Sequence, residues 1–270
     1  SSDLTAAERL IVEKIPHGRI CIGFTPDEEI GEGTLHFDVA DFGAVYAYTV
    51  DGGAAGTIEY QNFNAALATV TIRGVSVHPG SAKGTMVNAL KVAYAFDALL
   101  PSDEVPERTE HFQGFYHLTR SSGTVGGVEM EYLLRDHDRA AFDRRKEAMM
   151  RAAAQLNAMY GAGTVTVTLR DQYGNMEEVI RRHPYLIAAA ETAVRAAGLV
   201  PSVVPIRGGT DGAMLSFRGV PCPNLGTGGY NFHGEWEFVS VPEMEATVEI
   251  LLHLVAAMRD VPMPSGETRP

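Results

Sequence analysis

The order of six short segments between residues 62 and 171 constrains the fold of this 270-residue chain more than any other feature. Alternation of apolar and polar residues predicts strands, and apolar residues three and four positions apart predict helices. In chain order the segments are a strand at 66–72, a helix at 86–100, hairpin strands at 114–119 and 125–134 that turn at 121–123, a helix from Asp138 to about Tyr160, and a strand at 164–169. This βαββαβ order is that of the ferredoxin-like unit. The sequence therefore predicts a ferredoxin-like domain inserted at 62–171.

The segments on both sides of this insert alternate between strands and helices, which is typical of an α/β domain. They are a helix at 5–14, strands at 18–24 and 42–50, a helix at 185–197, a strand at 203–206 and a helix at 241–258. We therefore expect one discontinuous α/β domain made of residues 1–61 and 172–270, with a loosely held tail from Pro262 onward.

The charge of the chain narrows its possible partners. Its formal net charge is −12, which would repel nucleic acid and anionic membrane surfaces and suits a protein that holds cations.

No apolar run approaches the roughly 18 residues of a membrane helix, and the first residues lack the order of a signal peptide. Two cysteines, Cys21 and Cys222, are too few for a disulfide framework. We expect a cytoplasmic protein with both thiols reduced.

Two adjacent glutamates follow the first predicted strand. Pro26 ends the ladder of the strand at 18–24 because proline has no N–H to donate, and Glu28 and Glu29 come directly after it. Neighbouring side chains diverge along an extended backbone, so two such glutamates suit two different tasks, such as binding a metal and moving a proton. A solvated acidic turn is the alternative interpretation of the pair.

Two further residues could join this pair. Asp51 follows the strand at 42–50, and ligands of open α/β sheets collect beyond the carboxyl ends of strands, although Asp-Gly is also a common turn dipeptide. His233 lies in a late loop with glycines around it and acids after it. Carboxylates and an imidazole are the ligands of a zinc site that keeps an exchangeable water, and a free glutamate beside them suits a general base.

Three other polar residues lie at turns between predicted elements. His78 follows the first strand of the insert and Arg135 the third, where each could point outward or simply be solvated. Arg207 opens a glycine-rich turn, 207–212, that leads into a helix. Backbone N–H groups at such a turn, with a guanidinium beside them, suit a carboxylate or phosphate ligand.

Six motifs occur in an order that resembles a known family. They are Thr25-Pro-Asp-Glu-Glu-Ile-Gly31, Tyr48-Thr-Val-Asp-Gly-Gly53, Val77-His-Pro-Gly80, Arg135-Asp136, Pro205-Ile-Arg-Gly-Gly-Thr-Asp-Gly212 and Thr227-Gly-Gly-Tyr-Asn-Phe-His-Gly234. Together they resemble the co-catalytic zinc peptidases of M20 type, and among them the tripeptide aminopeptidases. The resemblance extends through essentially the whole chain and implies removal of the N-terminal residue from short peptides, with two zinc ions in each complete active site.

The resemblance also implies a role for each residue of the catalytic domain. Glu28 resembles the general base that takes a proton from the bridging water. Glu29 resembles a ligand of one zinc, joined there by His233, and Asp51 is similar to a ligand of the other zinc.

For the substrate, the resemblance implies contacts from both domains. Arg135 and Arg207 resemble the residues that hold the substrate carboxylate. The insert resembles the lid or dimerisation domain of the family, whose His78 equivalent reaches the active site of the partner subunit. We therefore expect a homodimer formed through residues 62–171.

The chain departs from the family pattern ahead of Thr25. The pattern includes a His-x-Asp and a bridging aspartate upstream of this point, and neither precedes Thr25 here; His36-Phe-Asp38 lies downstream and belongs to a different segment. We therefore expect the catalytic domain to be incomplete at its N-terminus, and the crowded carboxyl groups to have raised pKa values. Two alternatives remain: a non-catalytic or truncated dimerising homologue, and an amidohydrolase that acts on N-acyl amino acids.

Overall fold

The computed structural model of the chain describes residues 2–259 and 261, which form two compact units. Unit 1 takes in the chain up to Asn62 and from Met176 onward, and unit 2 is Phe63–Asn175. The tail that the sequence predicts from Pro262 lies outside the described residues. None of the helices in the described part of the chain is long and apolar enough to cross a bilayer.

The helices and strands are numbered in chain order. The helices are α1 (Ser2–Val12), α2 (Val39–Phe42), α3 (Ala89–Asp97), α4 (Arg139–Tyr160), α5 (Glu177–Ile180), α6 (Pro184–Ala196), α7 (Asp211–Phe217) and α8 (Val241–Met258). The strands are β1 (Thr49–Gly52), β2 (Thr57–Glu59), β3 (Asn64–Arg73), β4 (Phe115–Thr124), β5 (Gly127–Asp136), β6 (Val165–Tyr173), β7 (Ser202–Val203), β8 (Asn224–Gly226), β9 (Gly229–Tyr230) and β10 (Phe238–Val239).

Unit 2 has the predicted βαββαβ order. Its four strands form one antiparallel sheet in the order β4-β5-β3-β6, which is the ferredoxin-like arrangement. The alternating face of β5 is buried, as its sequence predicts, and it packs with the alternating face of β3 against residues of α3 and α4. Small alanines at alternate positions of β3 leave room for the larger side chains from the helices, such as Phe96 and Met149.

The hairpin of unit 2 turns later than its sequence predicts. The turn was expected at residues 121–123, but β4 continues to Thr124 and the connection is Val125-Gly126. Gly123 has a φ of 156°, and a Cβ there would lie 2.2 Å from the carbonyl oxygen of Gly127. The glycine is therefore needed for close approach of the two strands rather than for reversal of the chain.

Two asparagines close unit 2 where the chain enters and leaves it. The Asn64 amide donates to the carbonyl oxygens of Asp136 (3.1 Å) and His137 (3.0 Å), and its oxygen accepts the Asn175 N–H (3.1 Å). The Asn175 amide in turn donates to the His137 carbonyl (3.1 Å). These neutral groups satisfy buried backbone atoms at the end of three strands.

Unit 1 contains a four-stranded sheet in the order β1-β8-β2-β7, in which β1 runs parallel to β8 and β2 parallel to β7. Its main core is formed by β2, β8, α6 and α8, with Ile58, Leu186 and Ile250 among the buried side chains. Ala6 and Leu10 of α1 pack on α8 in a smaller cluster. Helices on a sheet with parallel pairs agree with the predicted α/β class.

The strand predicted at 18–24 is wrong. These residues have no regular secondary structure, and Ile20, Ile22 and Phe24 are exposed. A strand needs a neighbour that completes its hydrogen bonds, and no strand of the described residues pairs with this segment. The apolar pattern of this segment therefore does not form a strand among the described residues.

The strand predicted at 42–50 is also wrong over most of its length. Phe42 ends the short α2, which Gly43 closes with a φ of 64°, and only β1 at the far end is a strand. Ala47 N–H, before β1, bonds the carbonyl of Pro221, and Thr49 N–H, in the first residue of β1, bonds that of Pro223. These prolines have no N–H to return, so only half of a ladder can form.

We expect Arg145 to stabilise unit 2. Its Nε donates to Asp136 Oδ2 at 2.8 Å, it also pairs with Glu104, and its guanidinium lies over the Tyr116 ring. The Asp136 side chain is only 7% exposed, so Arg145→Leu would leave a buried carboxylate without its cation.

Breaking a buried pair in this way should lower the free energy of unfolding by about 3 kcal/mol. Urea denaturation followed by circular dichroism measures the change. Arg144→Leu, at an exposed position of the same helix, is the control and should change it by less than about 0.5 kcal/mol. Equal stabilities for the two variants would contradict this account of Arg145.

Candidate functional site

The segment Thr25–Gly33, here called the acidic loop, presents the two predicted glutamates on a short 3-10 turn. Glu28–Ile30 form the turn, between Asp27 (φ 63°) and Gly31 (φ 74°), which are both in the left-handed region. Gly31 N–H closes it on the Glu28 carbonyl at 2.7 Å. The turn points the two side chains differently, since Glu28 is half-buried and Glu29 is exposed.

Glu29 and His233 are brought together from opposite parts of the chain. His233 Nε2 lies 2.8 Å from Glu29 Oε2, and both side chains are about three-quarters exposed, at 76% and 73%. Ion pairs this exposed contribute little to stability. The small free energy of this ion pair therefore does not explain why the two groups lie together. Both side chains are exposed enough to bind one cation between them.

The loop that carries His233 is held in an uncommon conformation. His233 has a φ of 61°, its N–H donates to Glu237 Oε2 at 2.9 Å, and Gly234 N–H bonds the Asn231 carbonyl. A left-handed backbone at a histidine costs free energy that the surrounding contacts must offset. Such a residue is a reasonable candidate for function.

Glu243, in the first turn of α8, fixes both flanks of this part of the site. Its Oε1 accepts the Tyr230 hydroxyl at 2.7 Å, three residues before His233. Its Oε2 accepts the Ala55 N–H at 2.8 Å, four residues after Asp51. One carboxylate therefore links the loops of two candidate ligands.

The sequence predicts that Asp51 follows a strand, but the structure places it inside β1. Its backbone N–H donates to Asn224 Oδ1 at 3.2 Å on the parallel neighbour β8. Thr227, which follows β8, bonds the carbonyls of Gly52 and Gly53. The strand of Asp51 and the start of the His233 loop are therefore joined.

Crowding and burial change the acidity of two carboxyl groups. The pKa of Glu28 is raised to about 7, first by loss of hydration and then by repulsion from the carboxylates of Asp51, Asp211 and Glu29, while the nearby imidazole opposes the rise. Loss of hydration, and then Glu29 and Asp211, likewise raise the pKa of Asp51. For both groups burial is the larger cause of the rise, and crowded charge adds to it in the expected direction.

Asp211 is a member of this acidic group that the sequence analysis did not assign. It is the first residue of α7 and only 7% exposed. The Thr25 hydroxyl donates to its Oδ2 at 2.6 Å. The motif at 205–212 contains this residue, but the contact that reveals its place in the site spans 186 residues of sequence.

Arg218, at the other end of α7, supports the segment that follows the acidic loop. Its guanidinium donates to the carbonyl of Thr34 and, at 2.6 Å, to that of Phe37. Since Asp211 and Arg218 lie at the two ends of one short helix, α7 contacts this part of the chain at both its beginning and its end.

The structure places Arg207 in unit 1 and His78 in unit 2. Arg207 is half-buried in the turn that leads towards α7. His78 is exposed after β3, as predicted, and caps the short turn Pro79–Ser81 by accepting the Gly80 N–H at 3.1 Å.

Arg135 also belongs to unit 2. The sequence predicts that it follows its strand, but the structure does not place it there. It lies within β5 and is only 9% exposed. Its Nη1 donates to the backbone carbonyls of Leu134 (3.0 Å) and Ala66 (3.3 Å), and its guanidinium lies 5.4 Å from the Tyr173 ring centroid. Pairing of β5 with β3 continues to Asp136, so the strand is longer than its apolar alternation indicated.

The described residues bring two of the proposed metal ligands together. The donor types fit zinc, and Glu29 with His233 forms an adjacent pair. Among residues 2–259 and 261, however, no group of three histidine, cysteine, aspartate or glutamate side chains is arranged to hold a metal ion. These residues alone do not provide the full ligand set expected for two ions.

Comparison with known proteins identifies the family. The model of peptidase family M20/M25/M40 matches residues 4–257, so the chain belongs to this family. Peptidase T of Clostridium perfringens is 53% identical over 253 residues, which are 93% of this chain and 62% of that relative. Peptidase T of Serratia proteamaculans is 52% identical over 258 residues, 94% of this chain and 62% of the relative. The chain therefore spans 62% of the length of these relatives.

Solved structures share the fold. Aminopeptidase PepT from Bacillus cereus has a TM-score of 0.82 at 24% identity, over 95% of this chain and 69% of that one. The Bacillus subtilis YXEP protein, described as a dinuclear metal binding peptidase from the M20 family, has a TM-score of 0.68 at 18% identity, over 96% and 70%. The predicted fold class is confirmed.

Glu59 supports the strand of Asp51 from inside the sheet. It is 8% exposed, and its carboxylate accepts hydrogen bonds from Asn224 Nδ2 (2.7 Å) and Gly53 N–H (3.3 Å). Burial nevertheless raises the pKa of Glu59 above its ordinary value, and the hydrogen bonds oppose this rise. The ionised form is therefore less favourable in the folded chain than in the unfolded chain.

This shift predicts a pH dependence. A carboxyl group with a raised folded pKa contributes stability that is present below its unfolded pKa, about 4.3, and is lost as the pH rises through the folded pKa. Glu59→Gln removes this titration. Its unfolding free energy relative to the native protein should therefore increase between pH 4 and pH 7, as measured by urea denaturation. The exposed Glu178→Gln should show a constant difference, and parallel curves for Glu59→Gln would contradict the prediction.

Proposed function

We propose that the protein is a zinc-dependent aminopeptidase that removes the N-terminal residue of short peptides, tripeptides in particular. The observation that carries the proposal is the placement of the half-buried Glu28 beside the exposed Glu29–His233 pair. Membership of a peptidase family and 53% identity to a Peptidase T support the reaction class and the substrate. A cytoplasmic location stays a prediction.

Glu28 is the proposed general base. A carboxyl group with a pKa of about 7 can accept and return a proton near neutral pH, which is the requirement for this role. Its half-buried position keeps it from full hydration, while the 3-10 turn holds it one residue from the proposed ligand Glu29. The side chain is therefore able to hold a proton at a fixed place in the site.

Glu29, Asp51 and His233 are the proposed zinc ligands from this chain. When bound, zinc would supply Lewis acidity and a water of lowered pKa. Burial and then repulsion from neighbouring carboxylates raise the pKa of Asp51; a cation would relieve the repulsion, which supports a metal at this place. The remaining ligands are proposed to come from outside the described residues, and the number of two ions rests on the family resemblance.

Three residues are proposed to contact the substrate. Arg207, in a glycine-rich turn, is proposed to hold the substrate carboxylate. Arg135 and His78 belong to unit 2, and their roles in holding that carboxylate and in reaching the active site of a partner subunit rest on the family resemblance.

Glu28→Gln should lower tripeptide hydrolysis by about 10²- to 10⁴-fold, because the amide cannot accept the proton. Activity is measured on trialanine with the protein as its gene encodes it, including any residues that precede Ser1. Zinc per chain, measured by atomic emission, should be unchanged in Glu28→Gln and reduced in His233→Ala. The exposed Glu32→Gln, in the same loop, is the matched control and should keep its activity.

Two results would contradict the assignment. Full activity of Glu28→Gln would exclude the general base proposed here. Faster cleavage of N-acetyl amino acids than of tripeptides would replace the aminopeptidase with an amidohydrolase.

We also propose a homodimer formed through unit 2. The outer strands β4 and β6 of its sheet carry backbone groups that another copy could pair with. On α3, Leu90 (37%) and Tyr94 (74%) are exposed one turn apart and give an apolar stripe. Such a stripe beside a sheet edge suits a second copy of the chain.

Sedimentation equilibrium should therefore give twice the mass of one chain. Tyr94→Lys places a charge in the stripe and should shift the protein towards the monomer by about tenfold in the dissociation constant. Met159→Lys, at an exposed position of α4 (66%), is the control and should remain dimeric. A native protein that is monomeric at every concentration would refute the proposal.

A further inference from the structure

Asp211 contacts both ends of the acidic loop. At the start of the loop, the Thr25 hydroxyl donates to Oδ2 at 2.6 Å. At its end, a Cβ on Gly33 would lie 2.4 Å from Oδ2 and 2.5 Å from Oδ1 of the same carboxylate. Two positions eight residues apart are therefore packed against one side chain.

The Thr25 bond has the properties of a strong contact. Its 2.6 Å length is in the range of a hydroxyl donating to an ionised carboxylate. Asp211 is 7% exposed, so water cannot readily replace the hydroxyl. It is also the first residue of α7, where the helix dipole favours negative charge.

The glycine at the other end is required by contact rather than by its backbone angles. Gly33 is buried, and any larger residue would overlap the Asp211 carboxylate. The loop therefore contacts one buried carboxylate at both ends, and the residues between these two contacts include Glu28 and Glu29.

We propose that Asp211 is a positioning residue that fixes the acidic loop, through the Thr25 hydroxyl and the close contact with Gly33, so that Glu28 and Glu29 are held at the site. Asp211 does not itself react with the substrate. Its carboxylate also adds to the negative field around Glu28 and Asp51, so the same group that orders the loop adds to the charge that a cation would neutralise. The inference rests on the proposed function only for its effect on turnover.

Thr25 is the better place to test the proposal, because Asp211 is buried and its replacement could unfold α7. Thr25→Val has nearly the same shape without the hydroxyl, and Thr25→Ser keeps the hydroxyl. Thr192→Val is the matched control, since Thr192 is exposed and bonds only within its own helix, to the Ala188 carbonyl at 2.8 Å.

Two measurements on the protein as its gene encodes it give the outcome. Hydrogen–deuterium exchange of residues 26–33 should be about tenfold faster in Thr25→Val, because a charge-assisted hydrogen bond is lost. On trialanine, kcat should fall about tenfold while KM changes less than about twofold. Thr25→Ser should restore both values towards those of the native protein, and Thr192→Val should change neither.

Either of two results overturns the proposal: native exchange of the acidic loop in Thr25→Val, or equal loss in Thr25→Ser and Thr25→Val. If the native protein cleaves no tripeptide, the proposed function fails. The exchange result still decides the role of Asp211.

Discussion

Repulsion between carboxylates is the constraint on which the arrangement of unit 1 depends. Glu28, Glu29, Asp51 and Asp211 come from three distant parts of the sequence, and their mutual repulsion contributes to raising the pKa of Glu28 and Asp51. Acids that repel one another move apart unless their backbones are held. The site therefore exists only because the segments that carry these acids are fixed by contacts elsewhere, and the free energy of repulsion is offset by those contacts. A bound cation would act in the same direction.

The acids of unit 1 divide into two kinds according to what their oxygens contact. Asp211, Glu59 and Glu243 accept hydrogen bonds from other segments: Asp211 from the acidic loop, Glu59 from Asn224 and Gly53, and Glu243 from Tyr230 and Ala55. Glu28, Glu29 and Asp51 instead interact electrostatically with one another, and Glu29 also pairs with an imidazole. The first kind holds loops in place, since one carboxylate can accept several hydrogen bonds at once. The second kind retains oxygens that are available to a ligand. This division follows from contacts, and residue type alone does not reveal it.

The sequence predicts what depends on local pattern and misses what depends on distant partners. The alternation of Val128, Met130, Tyr132 and Leu134 was sufficient to place β5 in a ferredoxin-like sheet, because each buried residue is recognised from its neighbours. The prediction of a strand at 42–50 was wrong because the partner segment contains Pro221 and Pro223, which lie more than 170 positions away. The place of Asp211 in the site was not predicted for the same reason, since its contact is with the distant Thr25. Of the candidate site, Glu28, Glu29, Asp51 and His233 were named from motifs and strand ends, whereas the residues that hold them in place were not.

The most informative feature of the site is the difference between two adjacent residues of identical type. Glu28 and Glu29 share one 3-10 turn, so neither residue type nor secondary structure separates them. The turn directs Glu28 inward, where loss of hydration is the largest cause of its raised pKa, and Glu29 outward to the His233 imidazole. A carboxyl group that holds a proton near neutral pH cannot at the same time be a good ligand, because a ligand must be ionised. One backbone turn between two left-handed residues therefore gives the two glutamates different environments, which suits the two roles proposed for them, proton transfer for Glu28 and metal binding for Glu29.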